Sequence, residues 1–249
     1  MSVKFELHCH NAEVSYCSPT PAAKSVALLK GEGYDGVAVT NHYYKEWFEQ
    51  KPDLSETEQL DLWLSGFRKA KEAGKAVGLS VVLGMELRFT CRGANDYLVF
   101  GLTEEFVYSH PRLYEKTPEQ FHALAQKEGL FILQAHPFRP PCTPENPENL
   151  DGLEVFNGHP GHNSHNEEAY VMAQRAGLLP TVGSDFHEVS QLGATAMLLP
   201  RMPKDSVELA WMLRHGEIDG YFLRDKDSLP PHSPFQQDLR FTSAIIRIK

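Results

Sequence analysis

Short apolar runs alternate with longer stretches of helical pattern along most of the chain. The alternation predicts strands joined by helices, which is typical of βαβ units and of a largely parallel sheet. Several of the runs are almost continuously apolar, as expected for strands of a sheet that is covered on both faces. The predicted strands are 3–10, 37–40, 79–87, 97–102, 131–134, 152–156, 179–183 and 194–199.

Capping residues mark the boundaries of the helices between these strands. Thr20 is predicted to cap a helix with Pro21 at its first position, and Gly33 to end that helix. Ser55 and Thr117 each begin a capping box, in which the residue three positions later bonds back to the cap. The predicted helices are 20–32, 55–76, 117–128, 166–176 and 206–214.

Six to eight strand-helix units in one chain of 249 residues suggest a closed barrel related to the (β/α)8 type. We expect a single domain over 1–249, since the length fits one large domain and no repeat or low-complexity segment interrupts it. Active sites in such barrels lie at the C-terminal ends of the strands. The ends of the predicted strands are therefore the place to look for chemistry.

Metal-capable side chains stand at the ends of at least five of the apolar runs. His8 and His10 come first, and residues two apart on a strand point to the same face, so the two imidazoles should lie side by side. Chance could supply two or three such placements among 12 histidines, but five in one parallel architecture indicate a shared site. The further candidates are His42, Glu86, His136, Asp185 and His187.

Imidazoles and carboxylates without a thiolate favour zinc, manganese or iron in a catalytic rather than a structural site. The candidates outnumber the ligands that one ion takes, and a carboxylate such as Glu86 could bridge two ions. Two metals about 3.5–4 Å apart stabilise the attacking and leaving oxygens of phosphoryl transfer. The pattern thus predicts a site for two or three divalent metal ions.

The formal charge of −9 argues against non-specific binding to nucleic acid or to an anionic membrane. No apolar stretch is long enough to cross a bilayer, and the first residues do not read as a signal peptide. The four cysteines form no Cys-x-x-Cys and no zinc-ribbon spacing, so we expect a reducing, cytoplasmic setting. We interpret Cys17 and Cys91 as small packing groups rather than nucleophiles.

Taken in order, these segments resemble the PHP family, the polymerase and histidinol phosphatase domains. The resemblance covers about residues 3–195, and 196–249 would complete the barrel and add a C-terminal tail. The matching segments are His8-Cys9-His10, Val39-Thr40-Asn41-His42, Gly84-Met85-Glu86, Ala135-His136-Pro137, 152–157 and Gly183-Ser184-Asp185-Phe186-His187.

The resemblance implies a distorted (β/α)7 barrel that carries two or three metal ions. It implies ligand roles for all seven strand-end candidates. Family members often place an acid soon after the second histidine, and here Glu13 is the nearest substitute, with a solvated loop acid as the alternative. Asn41 stands where the family has an aspartate, and Asp96 and His110 are unconvincing matches to a further family ligand.

The function predicted from these residues is hydrolysis of a small phosphate ester, a monoester in preference to a diester, by metal-activated hydroxide. Asp185 and His187 are the candidates for proton transfer, and Arg139 is the candidate for binding phosphate, with Arg88 and Arg92 as alternatives. One alternative is an amidohydrolase-like enzyme acting on C–N or C–O bonds. Another is a metal-binding regulatory domain without catalysis.

Three features outside the ligand set have open interpretations. Glu154 is expected to support a ligand or to form a buried pair, and one of His159, His162 and His165 could line the substrate pocket. The apolar stretch 241–248 is expected to form a strand that packs on the barrel or on a partner. The expected ligand is a small phosphorylated substrate, while the metal, the substrate and the oligomeric state stay open.

Overall fold

Twelve strands form two six-stranded sheets in the computed structural model, which describes residues 2–243. Eight α-helices accompany them in the same part of the chain. The strands are β1 (Val3–Cys9), β2 (Gly36–Val39), β3 (His42–Tyr43), β4 (Ser80–Leu83), β5 (Met85–Leu87), β6 (Tyr97–Phe100), β7 (Phe131–Gln134), β8 (Gly152–Asn157), β9 (Leu179–Gly183), β10 (Thr195–Leu199), β11 (Gly220–Leu223) and β12 (Phe241–Thr242). The helices are α1 (Ala22–Gly31), α2 (Lys45–Glu49), α3 (Glu56–Val77), α4 (Glu104–Ser109), α5 (Pro118–Glu128), α6 (Asn166–Ala176), α7 (Ser206–Arg214) and α8 (Pro234–Gln237).

The fold is mixed α/β, and its sheets are only partly parallel. The first sheet has the order β12-β11-β10-β1-β2-β4 and the second the order β3-β5-β6-β7-β8-β9. β6 runs antiparallel to both of its neighbours, and β10 runs antiparallel to β1 and β11. The expectation of a largely parallel sheet is wrong at these strands, because the links 88–96 and 184–194 contain no α-helix and are too short for a crossover.

The predicted strand 79–87 is two strands that belong to different sheets. The break falls at Gly84, where a Cβ atom would lie 2.7 Å from the Thr40 methyl group. Backbone bonds from Gly84 to Val39 and from Glu86 to Asn41 carry the pairing across the break. The backbone of Phe186 bonds to β1 near its end, so the sheets are joined at a second place. Closure into a seven-stranded barrel stays a prediction.

Most of the predicted helix boundaries are confirmed. Ser55 and Thr117 form the predicted capping boxes at the starts of α3 and α5, and α6 and α7 have the predicted bounds. The cap predicted for α1 is wrong, because Pro21 rather than Thr20 occupies the N-cap and offers no side-chain bond. The carboxylate of Glu13 instead accepts the first N–H of that helix.

The core lies between the sheets and the helices that cover them. β6 and β7 are buried along their whole length, which explains why their sequences are continuously apolar. The strand predicted over 241–248 is seen only as β12, which pairs with β11, and the rest of it lies outside the described residues. No helix in residues 2–243 is long and apolar enough to cross a membrane.

Candidate metal centre

All seven strand-end candidates meet at one place in the fold. His8 lies in β1 of the first sheet with His10 just beyond it, whereas His42 and Glu86 lie in β3 and β5 of the second sheet. The other three follow the ends of β7 and β9. The seven are His8, His10, His42, Glu86, His136, Asp185 and His187.

Glu86 stands at the centre of this cluster. Its Oε1 is 3.1 Å from Nε2 of His8 and 3.3 Å from Nε2 of His136. Its Oε2 is 3.4 Å from Nε2 of His10 and is also in contact with Nδ1 of His42. Both carboxylate oxygens therefore face imidazole nitrogens, which is the arrangement expected of a carboxylate placed to bridge two ions.

Several of these polar atoms are buried without a hydrogen-bond partner. Within residues 2–243, Nε2 of His8 and His10, Nδ1 of His42 and both carboxylate oxygens of Glu86 have no well-oriented partner. Leaving such atoms unpaired costs about 1–3 kcal/mol each. Divalent cations shared among these atoms would satisfy them, so the donor set fits metal ions. Four overlapping trios with ligand atoms within 4.8 Å of one another could hold one: His8/His136/Asp185, His8/His10/Glu86, His10/His42/His187 and His42/Glu86/Asp96.

Opposing electrostatic environments surround the two histidines of the first strand. Burial disfavours a charged His8, but the carboxylates of Asp185, Glu154 and Glu86 outweigh burial and hold its pKa well above the ordinary value. Burial and two neighbouring imidazoles hold the pKa of His10 well below it. Since a histidine binds metal only through an unprotonated nitrogen, an arriving cation displaces protons from this cluster.

His136 and Asp185 have strained backbones. Their φ angles are +31° and +51°, in the left-handed region that residues with a side chain seldom adopt. Such conformations cost about 1–3 kcal/mol each and cluster at functional sites. The N–H of His136 donates to the buried carboxylate of Glu154 over 2.9 Å, which helps to fix this conformation.

Glu154 hydrogen-bonds to two of the candidate ligands without being one of the seven. Its Oε1 lies 2.9 Å from Nδ1 of His8, and its Oε2 accepts from Nδ2 of Asn157 as well as from His136. A carboxylate bonded to the far nitrogen of a histidine fixes the ring so that the other nitrogen faces the metal. The interpretation of Glu154 as a supporting residue is therefore consistent with its contacts.

Asn41 connects the cluster to the loop that follows β1. Its Oδ1 accepts from the hydroxyl of Ser15, and this hydroxyl lies 3.1 Å from Nδ1 of His10. Nδ2 of Asn41 donates to the side chain of Asn11. Asn41 can thus orient His10 through Ser15 while contributing no charge.

Some of the other candidates lie elsewhere. Glu13 sits at the start of α1 with Lys69 at 3.8 Å, and it belongs to none of the trios that could hold an ion. Arg92 pairs with Glu145 outside the pocket. His110 stacks on Phe106, and His165 pairs with Glu168.

A pocket of about 370 Å³ opens over the cluster, and both arginines and carboxylates line it. Arg88 and Arg139 both line it. Arg88 donates two hydrogen bonds of 2.8 Å to the buried carboxylate of Asp96, whereas the guanidinium group of Arg139 lies 3.6 Å from that carboxylate. The guanidinium group of Arg139 is thus more available to a bound ligand than that of Arg88. His159 and His162 stack at 4.1 Å and also border the pocket.

Cys17 lines the same pocket, and its interpretation as a packing group is wrong. The residue is exposed, with Sγ 3.2 Å from Nε2 of His42 and 3.1 Å from Nε2 of His187. Partial burial opposes the thiolate, but the bonds to His187 and His42 prevail and lower the pKa of Cys17 to about 6. Cys91 is exposed too, and its sulfur faces the carbonyl of Lys116.

Sequence reasoning gave too little weight to Asp96 and Cys17. Asp96 directly precedes β6, so its position next to an apolar run was visible in the sequence. Because β6 runs antiparallel, Asp96 lies at the N-terminal end of its strand, where a parallel arrangement would place no ligand. Cys17 lies in a loop that gives no periodic signal.

Comparisons with protein-family models and with curated proteins find no match. Among solved structures, a two-domain protein from Bacteroides vulgatus ATCC 8482 contains a predicted PHP-like metal-dependent phosphoesterase. It is similar to this chain with a TM-score of 0.60 and 19% identity, over 91% of this chain and 68% of that one. The chain has the PHP-like fold.

Two other structures share this PHP-like fold to a lesser degree. The lesion-specific endonuclease PfuEndoQ from Pyrococcus furiosus has a TM-score of 0.55 and 16% identity, over 89% of this chain and 59% of that one. An amidohydrolase from Chromobacterium violaceum, with bound SO4 and no metal, has a TM-score of 0.51 and 13% identity, over 86% and 96%. At these identities the likeness shows a shared fold. The resemblance drawn from the strand-end motifs is confirmed at that level.

Proposed function

We propose that this chain is a metal-dependent phosphoesterase of the PHP type, with two or three divalent ions held by the seven clustered residues. The proposal includes the distorted seven-stranded barrel, which the bonds joining the two sheets support. The observation that carries it is the set of buried, unpartnered imidazole and carboxylate atoms below a pocket to which Arg88 and Arg139 contribute. Ions in this site would supply Lewis-acid stabilisation of phosphoryl charge and would acidify a water molecule.

Within this proposal the arginines bind the phosphate. Arg139 is the main contact, because it lines the pocket and makes only a long contact with Asp96. Arg88 is held by two bonds to Asp96, which offsets its charge, and would be a fixed, secondary contact. A guanidinium group pairs with two phosphate oxygens at once and stabilises charge that spreads over them during transfer.

Asp185 and His187 are the proposed proton-transfer residues. Both border the pocket, and Nδ1 of His187 lies 2.8 Å from the backbone carbonyl of Asp185. That bond would leave Nε2 of His187 facing the pocket, where it could hold an ion or, when protonated and not bound to an ion, pass a proton to a leaving oxygen. The contact with Asp185 and with Cys17 raises the pKa of His187 against the lowering effect of burial.

We propose a small phosphate monoester as the substrate. The pocket is about 370 Å³, which suits a small molecule, and a net charge of −9 disfavours a long polyanion. The endonuclease among the structural neighbours makes DNA the main competing substrate class, and the amidohydrolase makes C–N and C–O bonds another. Our proposal of a monoester thus has to be tested against both.

The test combines elemental analysis of the purified protein with an activity panel. The panel contains phosphate monoesters, phosphate diesters, single-stranded and damaged DNA, amides and lactones. His8→Ala is the test variant, and His232→Ala is the matched control, since His232 is exposed and far along the chain from the ligands. We expect hydrolysis of monoesters, with loss of bound metal and of activity in His8→Ala only.

Three results would contradict the proposal. Retained metal and unchanged activity in His8→Ala would show that the cluster is not the site. Turnover of amides or lactones without turnover of any phosphoester would favour amidohydrolase-like chemistry, and tight metal binding without turnover would favour a regulatory role.

A further inference from the structure

The loop between β1 and α1 places a thiol against two candidate ligands. Sγ of Cys17 lies 3.2 Å from Nε2 of His42 and 3.1 Å from Nε2 of His187. The other nitrogen of each ring faces a different group, the carboxylate of Glu86 for His42 and the carbonyl of Asp185 for His187. Each imidazole therefore presents its second nitrogen to the sulfur.

A third imidazole converges on the same place. His10 is fully buried, and its Nε2 has no hydrogen-bond partner among the described residues. Its ring lies 4.3 Å from that of His187 and 4.5 Å from that of His42, and ligand atoms of these three residues lie within 4.8 Å of one another. An unpartnered buried nitrogen beside two imidazoles is unfavourable unless a cation joins them.

We propose that Cys17 is a thiolate ligand of one metal ion, which it holds together with His42 and His187. This inference rests on the proposed metal site. It adds a sulfur donor to a ligand set that otherwise consists of imidazoles and carboxylates. A thiolate is a soft ligand that favours zinc over manganese at its position, whereas the carboxylates of Glu86 and Asp185 suit either metal. The site would then distinguish between its ions.

Cobalt(II) provides a readout that does not depend on catalysis. A thiolate bound to cobalt gives a charge-transfer band in the near ultraviolet, which imidazole and carboxylate ligands do not give. The full chain is loaded with cobalt as wild type, as Cys17→Ser and as Cys91→Ser. Cys91 is the matched control, because it is the other exposed cysteine and its sulfur faces a backbone carbonyl away from the cluster.

We expect the band in wild type and in Cys91→Ser and its loss in Cys17→Ser. Zinc affinity should fall at least about tenfold in Cys17→Ser, the lower end of what loss of a supporting residue costs a metal site. Cys17→Asp should restore metal binding without the band and should shift the preference from zinc towards manganese. In a thiol titration, zinc should protect Cys17 and leave Cys91 reactive.

The outcomes separate this inference from the proposed function. If wild type binds cobalt but shows no charge-transfer band, or if the band persists in Cys17→Ser, Cys17 is not a ligand and the proposed function is unaffected. Equal reactivity of Cys17 with and without zinc would have the same meaning. If wild type binds no divalent ion at all, both proposals are wrong.

Discussion

Replacing Glu154 with glutamine should weaken metal binding without removing any candidate ligand. The carboxylate is buried and has three partners, each at 2.9 Å: Nδ1 of His8, the backbone N–H of His136 and Nδ2 of Asn157. Two of these partners belong to proposed ligands. Glu154→Gln therefore tests whether the orientation of the ligands, rather than their presence alone, determines the affinity of the site.

The expected magnitude follows from the number of acceptors. Glutamine replaces one carboxylate oxygen with an NH2 group, which donates and cannot accept. If the amide faces His136 and Asn157, a buried backbone N–H loses its acceptor. If the amide instead faces His8, it donates to Nδ1 of that ring. The imidazole then takes the tautomer with its proton on Nε2, the nitrogen proposed to bind the metal. One unpaired buried donor costs about 1–3 kcal/mol of stability.

Loss of an outer-shell partner typically lowers metal affinity about 10–100-fold, which is about 1.4–2.7 kcal/mol. Affinity is measured by competition with a chelator, and stability by denaturant unfolding of the metal-free chain. Glu72→Gln is the control, since Glu72 is exposed on α3 and makes only a surface pair with Lys75. Metal affinity of Glu154→Gln within about twofold of wild type, with unchanged stability, would refute this account of the site.

Three further substitutions test neighbouring parts of the structure. Gly183→Ala should destabilise the chain by about 1–3 kcal/mol and reduce its metal content, because the new Cβ would lie 2.5 Å from Oε1 of Glu154; thermal unfolding and elemental analysis check this. Glu13→Ala should cost about 0.5–2 kcal/mol through loss of the cap on α1 yet retain all bound metal, whereas metal loss would make Glu13 a ligand after all. Burial raises the pKa of Glu6 from 4.5 to about 7. The contribution of Glu6 to the free energy of unfolding is therefore fully present below pH 4.5, and about 3 kcal/mol of it is lost as the pH rises through 7. Glu6→Gln should remove most of that loss, measured as unfolding free energy against pH, because an amide can accept from the backbone of Ser184 and donate to its hydroxyl; an unchanged pH dependence would contradict the assignment.

The sequence predicts the five longer helices, because most of their ends are marked locally, but it does not predict the short helices α2, α4 and α8. Ser55 and Thr117 cap α3 and α5 through bonds that span three residues, and a glycine ends each of these helices in a left-handed conformation. α1 is the exception, because its first N–H is bonded by Glu13 from a loop nine positions earlier. Such a contact depends on how the loop folds, which no local pattern records.

The local sequence does not encode the direction of a strand or the position of a strand break. β6 reads as an ordinary apolar run, and its reversal follows from the lack of a crossover helix after β5. The break at Gly84 coincides with the close approach of Thr40, a contact between the link from β4 to β5 and the link from β2 to β3. Both features are set by tertiary packing, so periodicity gives no sign of them.

The candidate ligands could be found in the sequence because parallel strands bring their C-terminal ends together. This reasoning succeeds for His8, His136 and Asp185, whose side chains do converge. It gives no guidance for Cys17, which lies in a loop, or for Asp96, which precedes an antiparallel strand. Glu13 was a candidate because the family resemblance implies an acid soon after the second histidine, but its carboxylate accepts from the first N–H of α1 instead.

The division of the ligands between two sheets has a consequence for folding kinetics. His8 is in β1, His42 and Glu86 are in the other sheet, and the first and last candidates are 179 positions apart in the chain (187 minus 8). Contacts of such long range form late, after the entropy of closing large loops has been overcome. A cation bound there stabilises the native state more than the folding transition state. If the proposed ions are bound, chelation should therefore accelerate unfolding and leave the refolding rate nearly unchanged, because the ions would slow unfolding of a chain that has already folded.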